Sequence, residues 1–326
     1  MKCTSKKIIS IISLLIILSL LSGCASDLKY PYEVSSFDTS ISMAQNSASP
    51  FANGFSANLC VASSDVNVAA ADTSNVEAAG LFAPKSKQVL YAKNIHERLY
   101  PASLTKVMTA LLALENGNLE DTLVASSNVN INESGAQLLG LQSGDRMSLN
   151  DALHVLLMYS GNDAAVLIAE YISGSVEAFA DLMNQRALEL GATNTHFINP
   201  HGLNDENHYT TAYDLYLIFN EAIKNPTFRE IINCKEYGFT YYTKDGAPKE
   251  VSVSTTNGYL KGTVNVPENV NVVGGKTGST NAAGTCLIIL SDDGASNDYI
   301  SVILKATDRD ILYNSMTSVL QVIPSF

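Results

Sequence analysis

Ser103 and Lys106, in the stretch PASLTKVMTALLALENG, stand three residues apart where a helical pattern begins. That spacing puts both side chains on one helical face, within reach of each other. A serine hydroxyl is a weak nucleophile at neutral pH and needs a base within hydrogen-bond distance. Lys106 is such a base only when neutral, and burial or a second ammonium would lower its pKa. The pattern alone carries little weight, because Ser26 and Lys29 repeat it near the start of the chain. A serine at a helix start also has a routine structural use as a cap.

Two downstream motifs give the pair its context. Ser160-Gly161-Asn162 sits at a break between two helical patterns, and Lys276-Thr277-Gly278 lies in a strand pattern. Ser-x-Asn also occurs at Ser56, Ser126, Ser148 and Ser279, so order and setting matter more than any one match. The order Ser-x-x-Lys, Ser-x-Asn, Lys-Thr-Gly is that of penicillin-binding proteins and class A β-lactamases. The resemblance extends past the motifs. YPASLTKVMTALLALE, MYSGNDAAVLIAEYISGSVEAFADLMNQRALELGATNTHFINPHGL, HYTTAYDL and GGKTGSTNAAGTCL resemble successive blocks of the serine-type D-alanyl-D-alanine carboxypeptidases, the low-molecular-mass penicillin-binding proteins.

The resemblance implies a set of roles. Ser103 is the nucleophile, Lys106 its base, and Ser160 a proton shuttle to the departing amine. Asn162 holds Lys106 and the substrate amide. Lys276, Thr277 and Thr280 bind the terminal carboxylate, with Gly278 between them, and the Ser279 backbone N–H joins that of Ser103 at the oxyanion. The implied substrate is a peptidoglycan stem peptide ending in D-Ala-D-Ala, and β-lactams are the implied covalent inhibitors. His201 stays outside this set, since no G-x-S-x-G elbow accompanies it. Asp163 and Asp214 read as helix-start or scaffold acids. Residue 279 is serine where relatives often carry a bulkier side chain, and no further arginine for the carboxylate can be placed.

Two rival readings remain. A class A-like β-lactamase would share fold and motifs, but it needs a deacylating glutamate in a Glu-x-x-Leu-Asn block. Glu170, Glu177 and Glu189 follow Asn162 without that pattern. A non-catalytic β-lactam-sensing or wall-binding lipoprotein is the other, and the intact Ser103, Lys106 and Lys276 argue against it.

These residues need a scaffold, and 326 residues with 46% apolar and 16% charged can build one. The expected class is α/β of the α+β kind, β-lactamase/transpeptidase-like. It has an antiparallel sheet assembled from distant segments, flanked by helices, with a helical subdomain. EAAGLFAPKSKQVLYAKN reads as two strands turning at Pro84 to Lys87. Ser148 with Asp151 reads as a helix cap. Three strand patterns and a final helix, RDILYNSMTSVLQVI, complete the catalytic domain, expected over 76–326. No outer β-rich domain or amphipathic tail of the kind many relatives carry is expected after it.

The leader and charge place the chain. Lys2, Lys6 and Lys7 precede a 14-residue apolar run from Ile8, short for a membrane span, and LSGC closes it at Cys24. This resembles a lipoprotein signal: cleavage after residue 23, lipid on Cys24, a flexible tether over 24–75, and anchorage on the outer face of the cytoplasmic membrane. About 50 tether residues would span roughly 40 Å. A net charge of −12 argues against a nucleic-acid partner held through phosphates, and none is expected. Cys60, Cys234 and Cys286 form no metal or disulfide pattern, so neither a metal nor a cofactor is expected.

Overall fold

The computed structural model describes residues 55–268, 270–295 and 297–324. The expected export signal, Cys24, the Ser26/Lys29 pair and the first part of the tether lie outside the described residues.

A five-stranded antiparallel sheet carries the domain. Its order is β2-β1-β9-β8-β7, built from β1 (Val76–Ala83), β2 (Gln88–Lys93), β7 (Asn271–Thr280), β8 (Gly284–Asp292) and β9 (Asp298–Ala306). The β1–β2 hairpin turns at the expected place, while β1 pairs on its other side with β9, from Val76 opposite Ala306 to Phe82 opposite Ile300. β8 and β9 read as nearly unbroken apolar runs because both faces of the sheet are covered. Leu287, Ile289 and Ile303 pack under the final helix, α8 (Arg309–Leu320). Ile288, Leu290, Ile300 and Val302 face the helical side.

The helical side contains α1 (Lys106–Asn116), α2 (Leu149–His154), α3 (Asn162–Ser173), α4 (Val176–Glu189), α5 (Ala212–Ala222) and α6 (Pro226–Asn233). α1 stops at Gly117, where a Cβ would meet a Leu149 methyl at 2.5 Å. The Ser148 cap forms as expected, its hydroxyl accepting the Asp151 N–H. α7 (Gly258–Lys261) is a single turn on the way into β7.

Two expectations need correction. A second sheet, order β3-β4-β5-β6, joins β3 (Thr122–Val124), β4 (Arg146–Ser148), β5 (Glu236–Tyr242) and β6 (Pro248–Ser254). The short β3 and β4 give too few residues for an alternation signal. The folded chain also begins earlier than 76. Among the residues expected to be tether, Cys60 is fully buried and its N–H donates to Tyr216 Oη at 2.9 Å. Val66 exchanges backbone hydrogen bonds with Ala92, and Lys93 Nζ donates to Thr73 O at 2.8 Å. Polar composition hid a segment tied down by backbone bonds together with a few scattered side chains, Cys60, Asp65 and Thr73 among them.

Candidate active site

Ser103 lies in a 3₁₀ turn, Ala102–Thr105, that leads straight into α1. The residue before it, Ala102, holds φ at +48°, a left-handed conformation that costs a non-glycine residue energy. Two close approaches hold the turn in place. A Cβ added to Gly202 would lie 1.9 Å from Ala102 O, and one added to Gly278 would lie 2.8 Å from Ser103 N. β7 therefore runs directly against the nucleophile's backbone, an approach that only glycine permits.

Lys106 is fully buried. Its Nζ lies 2.9 Å from Ser103 Oγ, 2.6 Å from Asn162 Oδ1 and 2.6 Å from His201 O. A neutral amine has two N–H bonds and one lone pair. Donation to Asn162 Oδ1 and His201 O uses both hydrogens and leaves the lone pair facing the serine hydroxyl. Burial first, and then the Lys276 ammonium, hold Lys106 well below the ordinary lysine value. Asp163 acts weakly in the other direction. His201 thus serves through its carbonyl. Its buried ring is pushed down to about 3, leaving it uncharged.

Lys276 is equally buried, and burial lowers it to about 7. Its Nζ donates to Ser160 Oγ at 2.9 Å and to Thr277 O at 2.8 Å. Ser160 reaches it because α2 ends in a widened π-helical turn, Val155–Tyr159, after which Ser160 takes φ +71°. Such turns recur at functional sites, where they re-aim a side chain. Asn162 then opens α3, and its neighbour Asp163 accepts N–H bonds from Leu139, Gly140, Leu141 and Ala164. That carboxylate fastens the 139–141 loop to the start of α3. Asp214 does scaffold work of the same kind, accepting from Asn194 N and Thr195 Oγ1.

A cleft of about 140 Å³ opens over these groups, lined by Ser103, Ser160, Asn162, Thr277, Gly278, Ser279 and Thr280. The structure therefore brings together the site residues singled out by sequence within the described chain. Lys106 and Lys276 lie just beneath this lining. Arg309, at the start of α8, also lines the cleft and was missed by sequence reasoning. It is 33 positions beyond Lys276, and only the antiparallel return of β8 and β9 brings it back. Cys286 lines the same cleft, but burial raises its thiol to about 12, so it is no rival nucleophile. No glutamate or aspartate lines the cleft among the described residues.

Residues 65–308 match the D-alanyl-D-alanine carboxypeptidase family. The chain belongs to that family. It is 36% identical over 210 residues to D-alanyl-D-alanine carboxypeptidase DacF of Bacillus subtilis (strain 168), covering 64% of this chain and 51% of that protein. The D-alanyl-D-alanine carboxypeptidase of Streptomyces sp. (strain K15) is 34% identical over 232 residues, covering 67% and 76% of the two chains. The crystal structure of the Streptomyces K15 DD-transpeptidase superposes with a TM-score of 0.70 at 27% identity, over 76% of this chain and 96% of that one. The expected fold class is thus the family's own. The chain spans about half the length of the first curated relatives it matches.

Proposed function

We propose that the protein is a serine D-alanyl-D-alanine carboxypeptidase that removes the terminal D-Ala from peptidoglycan stem pentapeptides. The observation that carries this reading is the fully buried Lys106, whose two hydrogens are committed elsewhere while its lone pair faces Ser103 Oγ.

In this mechanism the substrate's terminal carboxylate sits against Thr277, Thr280 and Arg309. Lys276 supports it through charge rather than contact, since its Nζ is turned to Ser160. Lys106 takes the Ser103 proton as Oγ attacks the penultimate D-Ala carbonyl carbon. The backbone N–H groups of Ser103 and Ser279 hold the oxyanion, a donor pair of the kind worth several kcal/mol in acyl transfer. Collapse breaks the C–N bond, and a proton passing through Ser160 leaves on the amine of free D-Ala. Water then attacks the ester on Ser103 and gives a proton to Lys106, which passes it to Oγ as the acyl C–O bond breaks and the shortened peptide leaves as a carboxylate. β-Lactams enter by the same acylation, and a cleft without a carboxylate gives their adduct no ready base for fast hydrolysis.

The proposal extends to location: export, lipid attachment at Cys24 and anchorage facing the cell wall, supported by the basic start, apolar run and LSGC. A Cys24→Ser variant released from the membrane fraction would support it, and an unchanged distribution would count against it.

The function is tested by incubating the protein with a diacylated D-Ala-D-Ala peptide and, separately, with penicillin, following mass and free D-alanine. Peptide cleavage plus a long-lived penicilloyl adduct, both abolished in Ser103→Ala, is the expected result. Rapid loss of the adduct would identify a β-lactamase, and a stable adduct without peptide turnover a sensor.

A further inference from the structure

We infer that His208 and Thr105 are positioning residues that set the peptide plane between Ala102 and Ser103, and through it the oxyanion site. This rests on the acyl-enzyme reading above.

The chain of hydrogen bonds has a defined direction. Ile198 N–H donates to His208 Nδ1 at 3.1 Å, so that nitrogen carries no hydrogen. The ring's proton is therefore on Nε2, which lies 2.8 Å from Thr105 Oγ1. Thr105, with its oxygen accepting from the imidazole, turns its own hydrogen to Ala102 O at 2.9 Å. His208 is 1% exposed and Thr105 is fully buried, so water does not compete for these bonds. Burial also pushes His208 down to about 4, which keeps it neutral and keeps this single tautomer.

The end of the chain is the important part. Ala102 C=O and Ser103 N–H belong to one peptide unit, which is planar, so fixing the carbonyl fixes the N–H direction. Ser103 is the second residue of its turn, too near the N-terminus to give that N–H to a carbonyl within it. The N–H is thus the donor left for an oxyanion. A hydrogen bond to the carbonyl also polarises the amide and strengthens its donor end. The strained φ of Ala102 makes the device necessary. Thr105 holds the carbonyl by its hydroxyl, and the bare Cα of Gly202 leaves room for the bonded pair. Thr105 lies in neither the Ser-x-x-Lys pair nor the cleft lining, so motif reading assigns it nothing.

The test uses the full protein and the infrared ester carbonyl band of its penicilloyl adduct, with acylation kinetics and Tm alongside. In Thr105→Val the band should move to higher frequency. Acylation should slow about tenfold or more, since a whole oxyanion donor is worth on the order of 10²–10³, while the Kd of the initial penicillin complex holds. Thr105→Ser, which keeps the hydroxyl, should restore both. The double variant Thr105→Val/His208→Ala should acylate no more slowly than Thr105→Val alone. An unmoved carbonyl band in Thr105→Val, failure of Thr105→Ser to restore it, or additive losses in the double variant overturns the inference. If Thr105→Val does not fold, His208→Ala takes its place: a shifted band supports the inference and an unmoved one overturns it. Absence of any adduct in the unaltered protein would instead defeat the acyl-enzyme reading.

Discussion

Lys106 and Lys276 owe their chemistry to the protein interior, Lys106 as a base that must be neutral and Lys276 as a positive charge beside it. Acylation of Ser103 should therefore fall as pH drops, as Lys106 takes up a proton and loses the lone pair that faces Ser103 Oγ. Lys276→Gln removes a positive neighbour, so Lys106 holds its proton to higher pH. The acidic limb of the penicillin acylation profile should shift upward; a limb that stays put or moves down would contradict the coupling. The same burial has a stability signature. Below the folded value, about 7 for Lys276, both states hold the proton; between there and the ordinary 10.5 only the unfolded chain does. The unfolded state then binds more protons, so stability rises with pH across that window, on the order of 1 kcal/mol per pH unit per lysine. Denaturant melts of the unaltered protein and Lys276→Met at pH 7.5 and 9.5 should differ in slope with that sign. At this scale the sequence was legible where types and spacing suffice, at Ser103, Lys106, Ser160 and Lys276. It was silent on Arg309 and Thr105, whose roles depend on where the chain returns and which way a hydroxyl points.

Individual elements matter for how closely they approach. β7 supplies Lys276 and also passes its backbone within contact of Ser103 N at Gly278. Gly278→Ala, with a Cβ 2.8 Å from that nitrogen, should lower acylation by about 10²-fold or more while Tm changes little, because β7 is an edge strand free to shift outward. Asp163 ties the 139–141 loop to α3, and in Asp163→Ala its four N–H donors would lose their acceptor, those of Leu141 and Ala164 while buried. A loss of about 3 kcal/mol or more in a denaturant melt is expected. Long periodic elements such as α1, β8 and β9 were readable because their apolar patterns repeat over many residues. β3 and β4, three residues each, are strands only because they find each other and β5.

For the whole molecule, the segment before β1 behaves as part of the folded unit. Cys60 and Tyr213 lock together through Tyr213 Oη donating to Cys60 O at 2.8 Å, beside the Cys60–Tyr216 bond. A chain begun at residue 76 should melt several degrees below one begun at 55, and equal Tm values would return that segment to the tether. Composition pointed the wrong way here, because a segment held by main-chain bonds and a few isolated side chains needs no repeating apolar pattern to be ordered. The pairing of β1 with β9 has a consequence in time. The first strand of the sheet waits for the last, so a nascent chain emerging from the ribosome carries Ser103 and Lys106 for some two hundred residues before β9 exists to close the sheet. Until then Lys106 is an ordinary hydrated ammonium and the serine an ordinary alcohol. Reactivity switches on once, with the final long-range contact, and no truncated product ending before residue 298 can acquire it.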